Sequence, residues 1–143
     1  METKINNNLY SNRILDRAEK QGLFKYGCLK LVDLTEDQKT IFCKTVDHNI
    51  EPLLVFWDSV DRWTVMTVDR LFSWYENNLY SCVLEDIKNE IEGVVYEEGK
   101  YYEGTKLSIN MLYLKRPKIY VWVPKGAALY GFWHVLKYCR PQN

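Results

Sequence analysis

The sequence predicts a single α+β domain: N-terminal helices, a strongly bent antiparallel sheet or partly open barrel of about six to seven strands, and a C-terminal helix that caps it. Three observations carry this. The chain has 143 residues, 47% hydrophobic and 27% charged, which suits one globular domain with a sizeable core. Helix signals occupy the chain up to Asn49, and from Leu53 the apolar pattern changes to a period of two. A helical apolar stripe returns after Pro124.

Residues 1–8 are polar and Asn-rich and are expected to fray. Leu9 to Gln21 reads as a short helix in which Ser11 suits the N-cap, Ile14, Leu15 and Ala18 share a face, and Gly22 stops the helix. Phe24 to Leu34 alternates loosely, as a strand does. Thr35-Glu36-Asp37-Gln38 is a capping box: the hydroxyl and the amide side chain each satisfy a free backbone N–H, so a helix from Glu36 to about Val46 follows. Asp47-His48-Asn49 is its polar exit.

Leu53–Trp57 is an apolar run, Ser59-Val60-Asp61 a turn, and Arg62 to Trp74 reads as one long strand. Glu76-Asn77-Asn78 forms a tight turn, because Asn tolerates positive φ, and Leu79 to Leu84 returns. Lys88 to Thr105 reads as an acidic, glycine-bearing loop with a short strand at Val94–Tyr96. Lys106 to Leu114 and Ile119 to Val123 form a second hairpin, turned by Lys115-Arg116-Pro117-Lys118, with Leu107, Ile109, Met111 and Tyr113 facing inward. Pro124 suits a first helical turn, and Leu129, Phe132, Trp133, Leu136 and Cys139 make the buried stripe of the last helix.

Charge is balanced overall, with 19 basic and 19 acidic residues, but uneven along the chain. Glu85 to Glu103 carries Glu85, Asp86, Glu90, Glu92, Glu97, Glu98 and Glu103 against Lys88 and Lys100. From Gly104 onward there is no Asp or Glu, and the charged residues are all basic. Either the two halves fold onto each other and neutralise, which zero net charge favours, or the tail presents a basic surface to an anion. Zero net charge also disfavours nucleic acid as a partner.

Cys28, Cys43, Cys82 and Cys139 are scattered, with no metal-knuckle spacing. No secretory signal opens the chain and no apolar run approaches a membrane span, so reduced thiols and a cytoplasmic location are expected. His48 and His134 stand apart from any metal-ligand pattern, and no phosphate-cradling glycine loop is present. No cofactor is expected, and no constellation marks an enzyme.

Trp63-Thr64-Val65-Met66-Thr67-Val68-Asp69-Arg70-Leu71, followed by Val83-Leu84-Glu85-Asp86-Ile87, resembles the bacterial pleckstrin-homology-like (GRAM-like) domains. The resemblance spans about residues 53–139 and leaves 1–50 as a helical N-terminal extension. It implies a bent sheet closed by a helix, and a role in binding. The Lys/Arg cluster that holds inositol phosphates on the first hairpin of eukaryotic relatives is missing, so phosphoinositide binding does not carry over.

These readings point to a non-catalytic binding module that contacts a protein or an anionic ligand. Lys115, Arg116 and Lys118 are the candidate anion site, suited to weak contact with anionic lipid. Glu90, Glu92, Glu97 and Glu98 are the candidate partner contacts. The alternative is a small immunity or antitoxin-type protein that neutralises a toxin through this acidic surface.

Overall fold

The computed structural model describes residues 2–87 and 90–138, so Lys88 and Cys139 lie outside it. Its helices are α1 (Glu2–Lys20), α2 (Glu36–Val46) and α3 (Ala127–Tyr138). A five-stranded antiparallel sheet runs in the order β1 (Cys28–Leu29), β2 (Leu54–Ser59), β3 (Arg62–Met66), β4 (Arg70–Tyr75) and β5 (Asn78–Val83). A four-stranded antiparallel sheet holds β6 (Ile91–Glu97), β7 (Lys100–Glu103), β8 (Met111–Leu114) and β9 (Ile119–Trp122) in the order β7-β6-β8-β9. The two sheets are separate hydrogen-bonded units rather than one closed barrel.

The predicted α+β class holds, with nine strands among the described residues rather than six to seven. Two misread segments account for much of the difference. The expected long strand from Arg62 to Trp74 breaks at Thr67-Val68-Asp69. There the Thr67 hydroxyl accepts from the Arg70 N–H at 3.0 Å and donates to the Asp69 carboxylate at 3.0 Å, offering the backbone a turn in place of a ladder. The acidic segment, expected as a loop with a short strand at Val94–Tyr96, is the β6–β7 hairpin, with that strand inside β6. Its two turn residues, Glu98 and Gly99, have φ of 51° and 78°, the hand that matches strand twist. The loosely alternating Phe24–Leu34 contributes only the two-residue β1, which pairs Cys28 with Phe56 and ties the N-terminal region into the first sheet.

Three smaller expectations also shift. Helix α1 begins at Glu2 and places Ser11 inside it, since neither Pro nor Gly interrupts residues 2–20. Leu107 sits in a turn ahead of β8 and is 84% exposed instead of facing inward. Helix α3 starts after Gly126, so Pro124 precedes its first turn. The capping box of α2 forms as read: the Gln38 N–H donates to Thr35 Oγ1 at 3.1 Å and the Thr35 N–H to Gln38 Oε1 at 2.9 Å.

Strands β2–β4 of the first sheet are buried on both faces, while the outer face of β5 is exposed at Leu79 and Ser81. The sheet's inner face packs on the second sheet, α1 and α3 through Phe56, Met66, Leu71 and Tyr75, with Phe132 of α3 edge-on to Phe56 at 5.1 Å. Its outer face carries Val55, Trp63, Val65 and Phe72 against Phe42 and Val46 of α2. Alternation on β2 and β3 thus feeds two cores at once. Gly131 lets α3 sit close: a Cβ there would come within 2.6 Å of the Leu23 side chain.

Two polar residues join the sheets. Thr64 and Ser73, fully buried on the inner face, reach the backbone of β9. The Trp122 N–H donates to Ser73 Oγ at 2.9 Å, and the Thr64 hydroxyl donates to the Trp122 carbonyl. With the Thr64 proton committed, Ser73 donates to Thr64 Oγ1 at 2.8 Å, and each hydroxyl proton has one acceptor.

Candidate functional site

The sequence-predicted residues come first. Lys115, Arg116 and Lys118 lie at the β8–β9 turn, which contains a cis Arg116–Pro117 bond. Glu90 and Glu92 stand beside that turn, because Ile91 pairs with Leu114 and Glu92 with Tyr113. Lys115 Nζ is 2.9 Å from Glu92, and Arg116 Nε is 3.4 Å from Glu90. The Glu92 carboxylate raises the Lys115 pKa above the usual ammonium value. The candidate cations and half of the candidate acids therefore face each other, and the uneven charge is in part settled within the domain. Lys118 has no ion pair among the described residues. Glu97 and Glu98 are at the opposite end of β6, exposed on the β6–β7 turn.

A different place shows a built site. A cleft of about 400 Å³ opens between the two sheets, lined by the β2–β3 turn, the β4–β5 turn, Tyr96 of β6 and Met111 of β8. A second hollow of about 330 Å³ shares Asp58, Arg62, Tyr96 and Met111 with it and continues along Asn110, Trp122 and Lys125. Together they make one groove with an aromatic floor and a charged rim.

The fold fixes each wall. Asn110 substitutes for a strand: its amide oxygen accepts from the Tyr96 N–H at 2.7 Å and its NH₂ donates to the Tyr96 carbonyl at 3.1 Å. This completes the free side of β6 beyond its pairing with β8 and holds Tyr96 at the groove. Arg62 on β3 pairs with Asp58 at 3.2 Å and sits 5.0 Å over the Trp122 ring, so one cation of the rim is held by a carboxylate and an indole. The β4–β5 turn brings Glu76 and Asn77 to the other side, both with positive φ, 51° and 60°.

Tyr75 and Tyr96 belong to a row of aromatic rings that runs from Tyr75 and Tyr80 of the first sheet onto the second. Tyr75 stacks on Tyr80 and meets Tyr96 edge-on at 5.7 Å; Tyr101 stacks on Tyr120 at 3.6 Å, and Tyr120 packs on Tyr113. The Tyr75 and Tyr101 hydroxyls hydrogen-bond at 2.9 Å, a second polar link between the sheets. Burial pushes the Tyr101 phenol up to about 12 and raises Tyr75 further. Burial first, then the nearby Glu76 carboxylate, raises Tyr96. Sequence reading missed this groove. Its signal was the tyrosine count of 11, spread over strands whose pairing no local pattern shows.

The remaining candidates stay apart. His48 uses Nδ1 on the Val46 carbonyl at 3.0 Å and rests on Phe72. Burial, then Arg17 and Lys137, hold His134 below the ordinary imidazole range. Cys28, Cys43 and Cys82 are free thiols, and burial pushes Cys28 and Cys82 up to about 12. Among the described residues no cluster of three His, Cys, Asp or Glu is placed to hold a metal ion, and no helix is long and apolar enough to cross a membrane. No family model, curated protein or solved structure matches the chain.

Proposed function

We propose that the chain is a non-catalytic binding module of pleckstrin-homology-like architecture, and that its groove between the two sheets seats a segment of a protein partner. The architectural part is supported by the layout: a strand meander, a second antiparallel sheet and a terminal helix packed on the core. The strand count and the integrated N-terminal region depart from the simplest form of that layout.

One observation carries the functional part: the groove has a preorganised floor and rim. Asn110 fixes Tyr96, Asp58 fixes Arg62 over Trp122, and Tyr101 fixes Tyr75. Rigid aromatic side chains and an oriented arginine are the residue types that dominate protein recognition, because they give contact area at low entropic cost. The same engagement supports binding over chemistry. The groove's polar groups orient one another, whereas a nucleophile would be hydrogen-bonded to a base. The acidic-surface alternative has less to draw on, since Glu90 and Glu92 are already held by Arg116 and Lys115.

Selection of random displayed peptides on the full chain tests this. Selected peptides should lose binding to Tyr96→Ala and to Arg62→Ala, and keep it with the paired change Glu97→Gln and Glu98→Gln. Peptides that bind all of these variants equally would place the contact surface elsewhere.

A further inference from the structure

The outer strands of the two sheets are β1 and β5, and β7 and β9. A strand edge carries unpaired N–H and C=O groups, and short length, charged side chains or a covering group keep it from pairing with another chain. Three of these edges have such a guard. β1 is two residues long. β7 begins and ends on exposed charges, Lys100 and Glu103. On β9 the Trp122 N–H and carbonyl are taken by Ser73 and Thr64. β5 has none of these. It runs for six residues, Asn78-Leu79-Tyr80-Ser81-Cys82-Val83, without a charge, a proline or a bulge.

The register shows which groups β5 leaves free. Glu76 and Asn77 form a two-residue turn with φ of 51° and 60°, so Tyr75 and Asn78 exchange both backbone hydrogen bonds. Alternation then turns the N–H and C=O of Tyr80 and Cys82 toward β4 and those of Leu79, Ser81 and Val83 outward. The Leu84 N–H, bonded to the Asp69 carbonyl at 2.8 Å, keeps the same phase. Among the described residues nothing pairs with this edge. The side chains of the same residues lie on the outer face, where Leu79, 37% exposed, stands beside half-buried Trp74.

We propose that the β5 edge joins a second copy of this chain, antiparallel and centred on Ser81. The strand is complementary to itself. A two-fold axis at Ser81 sets Leu79 opposite Val83 of the second copy, and Ser81 opposite Ser81 of the second copy. Every outward N–H and C=O of both strands is then paired. Sliding one copy by two residues leaves some of them open. Apolar falls on apolar and hydroxyl on hydroxyl, and no like charges meet within the paired strands. Val83 of the second copy extends the Trp74–Leu79 row and covers its exposed end. Any extended peptide meets the backbone; the side-chain match selects the copy.

Sedimentation of the full chain from about 10 μM to about 1 mM should show a monomer–dimer equilibrium. Ser81→Pro removes an outward N–H, which an edge strand tolerates, and Leu79→Lys sets a charge against an apolar neighbour. Each should weaken the dimer by about tenfold or more with the circular dichroism of the fold retained. In a mixture of isotope-labelled and unlabelled chains, the Tyr80 Hα should contact the Cys82 Hα of the second copy, since this register makes them a close, non-hydrogen-bonded pair. A chain that stays monomeric throughout overturns the proposal, as does a dimer that Leu79→Lys leaves intact. If Ser81→Pro fails to fold, Leu79→Lys and the Hα contact decide. A monomer whose β5 amides shift with the displayed peptides gives the edge to a partner strand and also overturns it. The groove's own test is unaffected by either result.

Discussion

Thr64 and Ser73 show how much one hydroxyl can hold. Each lies in a strand with apolar neighbours, and each is fully buried. Their partner, Trp122, is 58 residues from Thr64, and its N–H and carbonyl have no strand beyond them on that side of the second sheet. An edge strand presents unpaired backbone groups, and these two side chains satisfy them from the facing sheet. Ser73→Ala leaves the Trp122 N–H buried without its acceptor. Stranding a buried polar group costs about 1–3 kcal/mol. The urea midpoint of Ser73→Ala should fall accordingly, with an unchanged slope; a midpoint equal to wild type would mean that the clasp contributes nothing. Sequence could not show this role. A Thr or Ser in a strand is most often a solvent-facing residue, and only the distant β9 makes these two internal.

At the scale of elements, legibility followed how local the signal was. Helix α2 was readable because Thr35 and Gln38 cap it from within four residues. The β4–β5 turn was readable from its Asn residues. The turn at Thr67 was hidden, since Val68 kept the strand-like alternation going and the turn is made by a hydroxyl. Glu98-Gly99 was hidden by the charges around it, which read as solvent-exposed loop although Gly99 at φ 78° is a hairpin residue. In α3 the expected stripe is buried at Leu129, Phe132 and Leu136 and only in part at Trp133, and Cys139 lies outside the described residues. Phe132 is fully buried against Phe56, while Trp133 is half-buried and stacks on Tyr130. Phe132→Ala should therefore cost about 3–5 kcal/mol, as large-to-small changes at buried aromatics do, and Trp133→Ala clearly less. Paired denaturation curves decide this. Equal losses would show that the helix is anchored by both rings alike.

The whole molecule is two sheets joined by few polar links, so its stability should carry their titration. The Tyr75–Tyr101 hydrogen bond connects β4 of the first sheet to β7 of the second. Its phenols are held protonated by burial, Tyr101 up to about 12 and Tyr75 beyond that, against an ordinary value of 10.0. Below pH 10 the folded and unfolded chains both keep these protons, and the pair gives no pH dependence. Between pH 10 and 12 the unfolded chain releases them while the folded chain retains them, so the unfolded state is favoured and stability falls as pH rises. Cys28 and Cys82 act in the same direction from their ordinary 9.0, which makes wild type alone ambiguous. Tyr75→Phe resolves it, because it removes one titrating phenol and its bond to Tyr101 while leaving both thiols. Urea midpoints measured across this range should decline steeply in wild type and less steeply in Tyr75→Phe. Parallel declines would assign the alkaline loss to the other groups held protonated, Cys28, Cys82, Tyr96 and Tyr120, and leave the Tyr75–Tyr101 link without a part in it.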